Sequence, residues 1–298
     1  MTLQGIFPAV LTPFGRDGAI DLDRFARHVD GLYKAAVDGI MIGGNAGEWY
    51  SMTLDEREAL ASAGIQLSRG RGKAIVHIGC LRVEDALRLA AHAERAGADG
   101  ISSLPPSVAR CSAAEVRHYF ERIGTATNLP LYIYYFPTLT GGLSGEPFFS
   151  AVRGIPGLAG YKFTDTNLFD MHTLLEEGLS VLNGHDPNLT SALLMGADGG
   201  IGSYYNVLPS RTAAIYRACR VGDTQCAAQI QREVNRVIRT VRKYRLIPAL
   251  KFIAALQGND LGPVKEPLLP LTADEQRAIA KELSWLFETT EESNHALL

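Results

Sequence analysis

The stretch DGIMIGGNAGEWYSMT, residues 38–53, carries the pattern on which the fold prediction rests. Residues 38–42 form a short apolar run that is typical of a buried strand, and a turn with three glycines follows at once. The next segment, LDEREALASAGIQLS at residues 54–68, has the composition of a helix. The stretch therefore predicts one strand–turn–helix unit.

The same unit recurs eight times. Strands are predicted at residues 5–14, 38–44, 73–80, 98–106, 130–137, 158–165, 179–186 and 199–207, each followed by a helix at 22–36, 54–68, 83–97, 112–127, 146–154, 168–178, 189–197 and 209–222. Eight units in about 220 residues fit a (β/α)8 TIM barrel, an α/β fold. An open doubly wound sheet is the alternative, because strand count alone does not exclude it. We predict the barrel at residues 1–222 and a C-terminal helical extension of the same domain at 223–298.

The composition narrows the functional class. The 298 residues are 46% hydrophobic and can bury a sizeable core. The formal net charge is −3 without a basic stripe, so no nucleic-acid partner is expected. No run of 18 apolar residues occurs, and residues 1–14 lack the features of a signal peptide, so no membrane partner is expected. Four cysteines without a CxxC pair favour reduced thiols in a cytoplasmic protein.

In a (β/α)8 barrel, the reactive groups lie at the C-terminal ends of the strands. Lys162 lies there, in the otherwise apolar segment YKFTD at 161–165. Burial lowers the pKa of an amine, and the neutral form can attack a carbonyl to give a Schiff base. A lysine that reaches the barrel rim is an equally good interpretation from position alone. Tyr134, in YIYYFP at 132–137, either moves protons beside such an imine or fills the barrel.

The glycine turn at 43–47 indicates a ligand that approaches the backbone. Glycines expose N–H groups, and a helix start nearby favours an anion. A 2-oxo acid meets both conditions, with its carboxylate at the turn and its ketone at Lys162. The alternative is a tight turn that binds nothing. We interpret Glu48 as structural, because an acidic residue in such a position more often orders the loop.

His185 and Asp186 follow the seventh strand in NGHD at 183–186. Neither has the partners that metal-site spacing requires, so no metal is predicted. We interpret Asp186 as a ligand of substrate hydroxyls and His185 as structural.

Together these segments resemble the N-acetylneuraminate lyase and dihydrodipicolinate synthase family of class I, lysine-dependent aldolases, over nearly the whole chain. The segments that carry the resemblance are GIFPAVLTPF (5–14), GxxGE (44–48), YxxP (134–137), GYKFTDTN (160–167), NGHD (183–186), GADGGIGSYYN (196–206) and GPVKEPLLPLT (262–272). The resemblance implies a TIM barrel, a small 2-oxo acid as substrate, a lysine imine without any cofactor, and a homotetramer.

The resemblance also implies roles for particular residues. Lys162 matches the imine-forming lysine, and Tyr134 matches the tyrosine that transfers protons. The positions that match substrate-binding residues are Asn45, Ala46, Thr164, Gly184, Asp186 and Ser203.

This chain departs from the family pattern at several places. Asn45 and Ala46 stand where the family usually has two hydroxyl residues. Leu139 stands where dihydrodipicolinate synthases carry an arginine, which argues against that activity. Pro187 replaces a second acidic residue of the sialic acid lyase pattern. We therefore expect a lyase that reversibly cleaves a 2-oxo-3-deoxy sugar acid, N-acetylneuraminate-like or shorter, to pyruvate and an aldehyde. A dehydratase that acts on a keto-deoxy sugar acid through the same imine is the alternative.

Overall fold

Eight parallel strands form the core of the protein in the computed structural model, which describes residues 3–106, 110–140 and 142–288. The strands are β1 (Gly5–Pro8), β2 (Gly39–Ile42), β3 (Lys73–His77), β4 (Gly100–Ser103), β5 (Leu131–Tyr135), β6 (Leu158–Phe163), β7 (Ser180–Asn183) and β8 (Gly199–Gly202). Residues 1–2 of the predicted barrel and residues 289–298 of the predicted extension lie outside the described residues.

Each strand is followed by a helix. These helices are α1 (Leu22–Lys34), α2 (Leu54–Ser68), α3 (Val83–Ala96), α4 (Ala113–Ala126), α5 (Glu146–Val152), α6 (Leu168–Glu176), α7 (Leu189–Leu194) and α8 (Pro209–Arg220). Helix α2 begins with a capping box, in which Thr53 and Glu56 satisfy each other's backbone N–H groups. None of the helices in the described ranges is both long and apolar enough to cross a membrane.

The sheet closes on itself. Neighbouring strands pair in the order β1-β8-β7-β6-β5-β4-β3-β2. The ends of this row meet just beyond β1, where Ala9 pairs with Met41 of β2 and the Val10 N–H donates to the Met41 carbonyl oxygen at 2.9 Å. The prediction of a (β/α)8 barrel is therefore confirmed, and the open doubly wound sheet is excluded.

The strands are buried on both faces, which explains their continuous apolar sequences. All five residues of β5, LYIYY, are buried between the barrel interior and the surrounding helices. Helix α1 shows how the outer layer is attached: Phe25, Val29 and Leu32 recur at helical spacing and are buried in the hydrophobic core. A barrel packed in this way leaves its C-terminal mouth as the place where polar side chains gather.

After α8 the chain is helical, with α9 (Thr224–Val241), α10 (Leu246–Leu256), α11 (Ala273–Glu282) and α12 (Ser284–Glu288). Helix α10 is tied to the glycine turn by a buried ion pair, in which Lys251 Nζ lies 2.7 Å from Glu48 Oε1. The Lys265 backbone N–H donates to Glu48 Oε2 at 2.8 Å. Glu48 itself has a left-handed backbone, with φ of 60°. Glu48 thus orders the turn by holding the C-terminal helices against it.

We predict that Lys251→Met destabilises the protein by about 3–5 kcal/mol, because it leaves the Glu48 carboxylate buried without a counter-charge. Urea denaturation followed by circular dichroism measures the effect. The double variant Glu48→Gln/Lys251→Met should regain part of the loss. Lys265→Met is the matched control: its ion pair with Glu56 is partly exposed, at 22% and 26% of the two side chains, and keeps contact with water, so the expected cost is only about 1 kcal/mol. Equal losses in both single variants would contradict the prediction.

Candidate active site

A cavity of about 850 Å³ opens at the C-terminal ends of the strands. This volume is within the range of roughly 300–1,000 Å³ that small-molecule sites occupy. The cavity is lined by every site residue predicted from the sequence, namely Asn45, Ala46, Tyr134, Lys162, Thr164, Gly184, Asp186 and Ser203. The barrel thus brings together, in one pocket, residues from five different strand ends.

Lys162 lies inside the barrel and does not reach its rim. Its side chain is only 4% exposed. The ammonium nitrogen lies 3.7 Å from Met41 Sδ on β2 and 3.8 Å from the centre of the Tyr134 ring. Tyr134 is also the register partner of Lys162 in the neighbouring strand β5. The pairing of β5 with β6 therefore fixes the tyrosine beside the amine.

Burial lowers the pKa of Lys162 from 10.5 to about 7, while the charge of Asp186 acts in the opposite sense. Desolvation penalises the ammonium form, so a large fraction of the amine is neutral near pH 7. Lys251 is the second buried lysine, but its ammonium contacts the Glu48 carboxylate directly. Of these two lysines, Lys162 is the one suited to nucleophilic attack.

The phenol of Tyr134 is protonated at neutral pH. Burial raises its pKa well above the usual value. The ring packs edge-on against His77 and nearly parallel to Phe136, each with ring centres 6.1 Å apart. This packing fixes the ring, so that its hydroxyl can donate a proton to a group bound at Lys162.

The turn after β2 presents unused hydrogen-bond donors. Residues Asn45–Gly47 form a short 3₁₀ turn. Trp49 Nε1 donates to Asn45 Oδ1 at 2.7 Å, which fixes the Asn45 amide. In the described part of the chain, the backbone N–H groups of Asn45 and Ala46 have no acceptor. Helix α2 begins only at Leu54, so these donors belong to the turn and not to the helix start that the sequence suggested.

The opposite wall carries Thr164, Gly184, Asp186 and Ser203. Gly184 is required by close approach, because a Cβ there would overlap Oγ1 of Thr164. Asp186 accepts a hydrogen bond from the Tyr204 N–H through Oδ2 at 3.2 Å, while its buried Oδ1 has no partner in the described structure. Burial raises the pKa of Asp186 to about 7. The wall thus offers several polar groups to substrate hydroxyls.

The sequence analysis did not predict that His77 lies beside the site, or which residues form the outer wall of the cavity. His77 is a polar residue at the end of the apolar strand β3, the same signal that marked Lys162. It is buried between Trp49 and Tyr134, and burial lowers its pKa well below the usual value, so the ring is neutral. The outer wall comes partly from the end of α9, including Val241 and Arg242. No motif in the helical extension indicated that it contributes to the cavity.

A desolvated lysine at the C-terminal mouth of a closed (β/α)8 barrel is suited to lyase chemistry through an imine. Comparison with known families agrees: the model of the dihydrodipicolinate synthetase family matches residues 2–286. The chain belongs to this family, and it is a pyruvate-dependent class I aldolase, a lyase.

Individual relatives support the lyase branch. N-acetylneuraminate lyases from Enterobacter sp. (strain 638) and Escherichia coli (strain K12 / DH10B) are 34% identical over 94% of this chain and 97% of their own. Among solved structures, the N-acetylneuraminate lyase of Mycoplasma synoviae has a TM-score of 0.86 and 29% identity, covering 94% of this chain and 97% of its own. The prophage protein YagE of E. coli K12, solved with pyruvate, has a TM-score of 0.90 and 28% identity over 96% and 99% of the two chains.

We predict that the rate of imine formation with pyruvate rises with pH through a midpoint near 7, because only the neutral amine of Lys162 attacks the ketone. Rapid-quench borohydride trapping between pH 5 and 10 measures this rate. Asp186→Asn should move the midpoint to lower pH, since it removes the negative charge that stabilises the ammonium form. A midpoint near the ordinary lysine value of about 10.4 would contradict the assignment.

Proposed function

We propose that the protein reversibly cleaves a 2-oxo-3-deoxy sugar acid to pyruvate and an aldehyde, with Lys162 as the imine-forming residue. The observation that carries this proposal is the desolvated amine of Lys162 in register with Tyr134. From the family resemblance we further infer a homotetramer, and from the cysteine pattern we infer a cytoplasmic protein.

The first step is attack of the neutral Lys162 amine on the substrate ketone. The free N–H groups of Asn45 and Ala46 hold the adjacent carboxylate, as expected for exposed backbone donors. The Tyr134 phenol then gives its proton to the departing hydroxyl of the carbinolamine. Water leaves, an iminium forms on Lys162, and Tyr134 becomes a phenolate.

The second step breaks the carbon–carbon bond. The phenolate accepts the proton of the C4 hydroxyl, the C4 oxygen becomes the aldehyde carbonyl, and the C3–C4 electron pair moves into the iminium to give an enamine. The iminium charge stabilises the phenolate before this step, because Lys162 Nζ lies over the Tyr134 ring. The regained phenol proton then goes to C3, and hydrolysis of the pyruvate imine restores the amine.

The polar wall supports a hydroxylated aldehyde half. Thr164, Asp186 and Ser203 line the same side of the cavity, and the Asp186 carboxyl retains an unused acceptor. A substrate hydroxyl that satisfies such a group is favoured over an apolar one, since a buried unpaired polar atom costs free energy.

Borohydride reduction in the presence of pyruvate, followed by peptide mapping, tests the imine assignment. We expect the adduct on Lys162 and none in Lys162→Arg, whose guanidinium stays protonated. A panel of 2-oxo-3-deoxy acids is then assayed for pyruvate release. A dehydrated 2-oxo acid without pyruvate would identify the dehydratase instead, and an adduct confined to another lysine would refute the role of Lys162.

We predict that Tyr134→Phe lowers kcat by about 10²–10⁴-fold, the usual worth of a positioned acid–base group. The Phe ring keeps the packing against His77, so the fold and the Lys162 environment should persist. Single-turnover kinetics should show that imine formation remains possible but is slower, because Tyr134 also assists the loss of water, and that carbon–carbon cleavage is slow. A variant with the parent kcat would show that Tyr134 only fills the barrel.

A further inference from the structure

The outer part of the cavity differs in character from the end that holds Lys162. Its wall is formed by the last turn of α9 and the segment leading into α10, including Val241, Arg242, Tyr244 and Leu246. Two of the described cavity-lining residues have a basic lysine or arginine side chain, namely Lys162 and Arg242. The pocket thus carries a second cationic group, on a wall that the chemistry proposed above does not use.

The neighbours of Arg242 are held by partners outside the cavity. Lys243 donates to both carboxylate oxygens of Glu282. Arg245 donates to the carbonyl oxygens of Leu269 and Pro270. In contrast, Arg242 has no side-chain hydrogen bond or ion pair in the described part of the chain, and it is exposed at the cavity.

The charge of Arg242 reaches other groups that line the cavity. Burial lowers the pKa of His185, and the charge of Arg242 adds to this shift; burial raises the pKa of Tyr204, and the charge of Arg242 opposes that rise. Among the described residues that line the cavity, Asp186 supplies the carboxylate. Its Oδ2 accepts a hydrogen bond from the Tyr204 N–H. The guanidinium therefore has no carboxylate of the pocket wall bound to it.

We propose that Arg242 binds an anionic terminus, carboxylate or phosphate, on the aldehyde half of the substrate. This inference rests on the proposed function and adds the substrate class: a 2-oxo-3-deoxy acid with a second anionic group at its far end. A guanidinium suits this role because its planar donors match carboxylate and phosphate oxygens. The first carboxylate stays at the Asn45–Ala46 turn, so the two anions occupy different parts of the cavity.

The test uses the reverse reaction, in which pyruvate adds to an aldehyde. Three aldehydes of equal chain length differ only at the terminus: glyceraldehyde, 2-hydroxy-3-oxopropanoate and glyceraldehyde 3-phosphate. We expect the parent protein to show a higher kcat/KM for at least one anionic aldehyde than for glyceraldehyde. The carboxylate and phosphate arms tell which anion is preferred. Erythrose and erythrose 4-phosphate repeat the comparison at a longer chain length.

Arg242→Gln should lower kcat/KM for the preferred anionic aldehyde roughly 10- to 100-fold, as expected for loss of a charged hydrogen bond. It should change kcat/KM for the neutral aldehyde by less than about twofold, and Arg242→Lys should retain part of the preference. The matched control is Arg239→Gln, which makes the same charge change one turn earlier on α9, at an exposed position outside the described cavity lining. This control should keep the preference of the parent.

Three outcomes overturn the proposal: no faster reaction with an anionic aldehyde at either chain length, an unchanged preference in Arg242→Gln, or an equal loss for neutral and anionic aldehydes. Pyruvate trapping on Lys162 is measured in the same samples. If trapping fails in the parent, the proposed function itself is wrong. If trapping succeeds without any anion preference, only the role of Arg242 is wrong.

Discussion

The chemistry proposed for this barrel depends on the removal of water from one amine. Lys162 is held between the Met41 thioether and the Tyr134 ring, neither of which replaces the solvation that an ammonium ion loses on burial. The same closed sheet that excludes water also sets the register of β5 and β6, so the desolvation of Lys162 and the position of Tyr134 have one structural origin. An additional carboxylate close to Lys162 would stabilise its ammonium form and so remove the neutral amine.

The second buried lysine shows how the protein separates structure from reactivity. Lys251 is as buried as Lys162, at 4% exposure, but it has a carboxylate at 2.7 Å. One amine is therefore neutralised by ion pairing and the other by loss of its proton. The glycine turn connects the two environments. Its Glu48 binds Lys251, whereas its Asn45 and Ala46 line the cavity that contains Lys162. The turn is thereby fixed from outside while its N–H groups remain free inside.

The sequence predicted the repeated strand–helix units, because parallel strands buried on both faces leave continuous apolar runs. It also drew attention to Lys162, although position alone left a lysine that reaches the barrel rim as an equally good interpretation. It did not decide that the barrel closes, which depends on the pairing of Ala9 with Met41. The ion pair of Glu48 with Lys251 and the place of Arg242 could not be predicted either. Both depend on how a distant amphipathic helix docks, and helical periodicity gives the buried face but not the surface that covers it.

The attachment of the turn to the C-terminal helices bears on how the protein is made. Glu48 accepts its hydrogen bond from a backbone group 217 residues later in the chain. At ribosomal elongation rates of about 5–20 residues per second, roughly 10–40 s pass between synthesis of the two partners. During that interval the acidic turn stays hydrated and the mouth of the barrel unfinished. A nascent chain released early, without α10, would possess all the residues of the imine chemistry and still lack the support that arranges them.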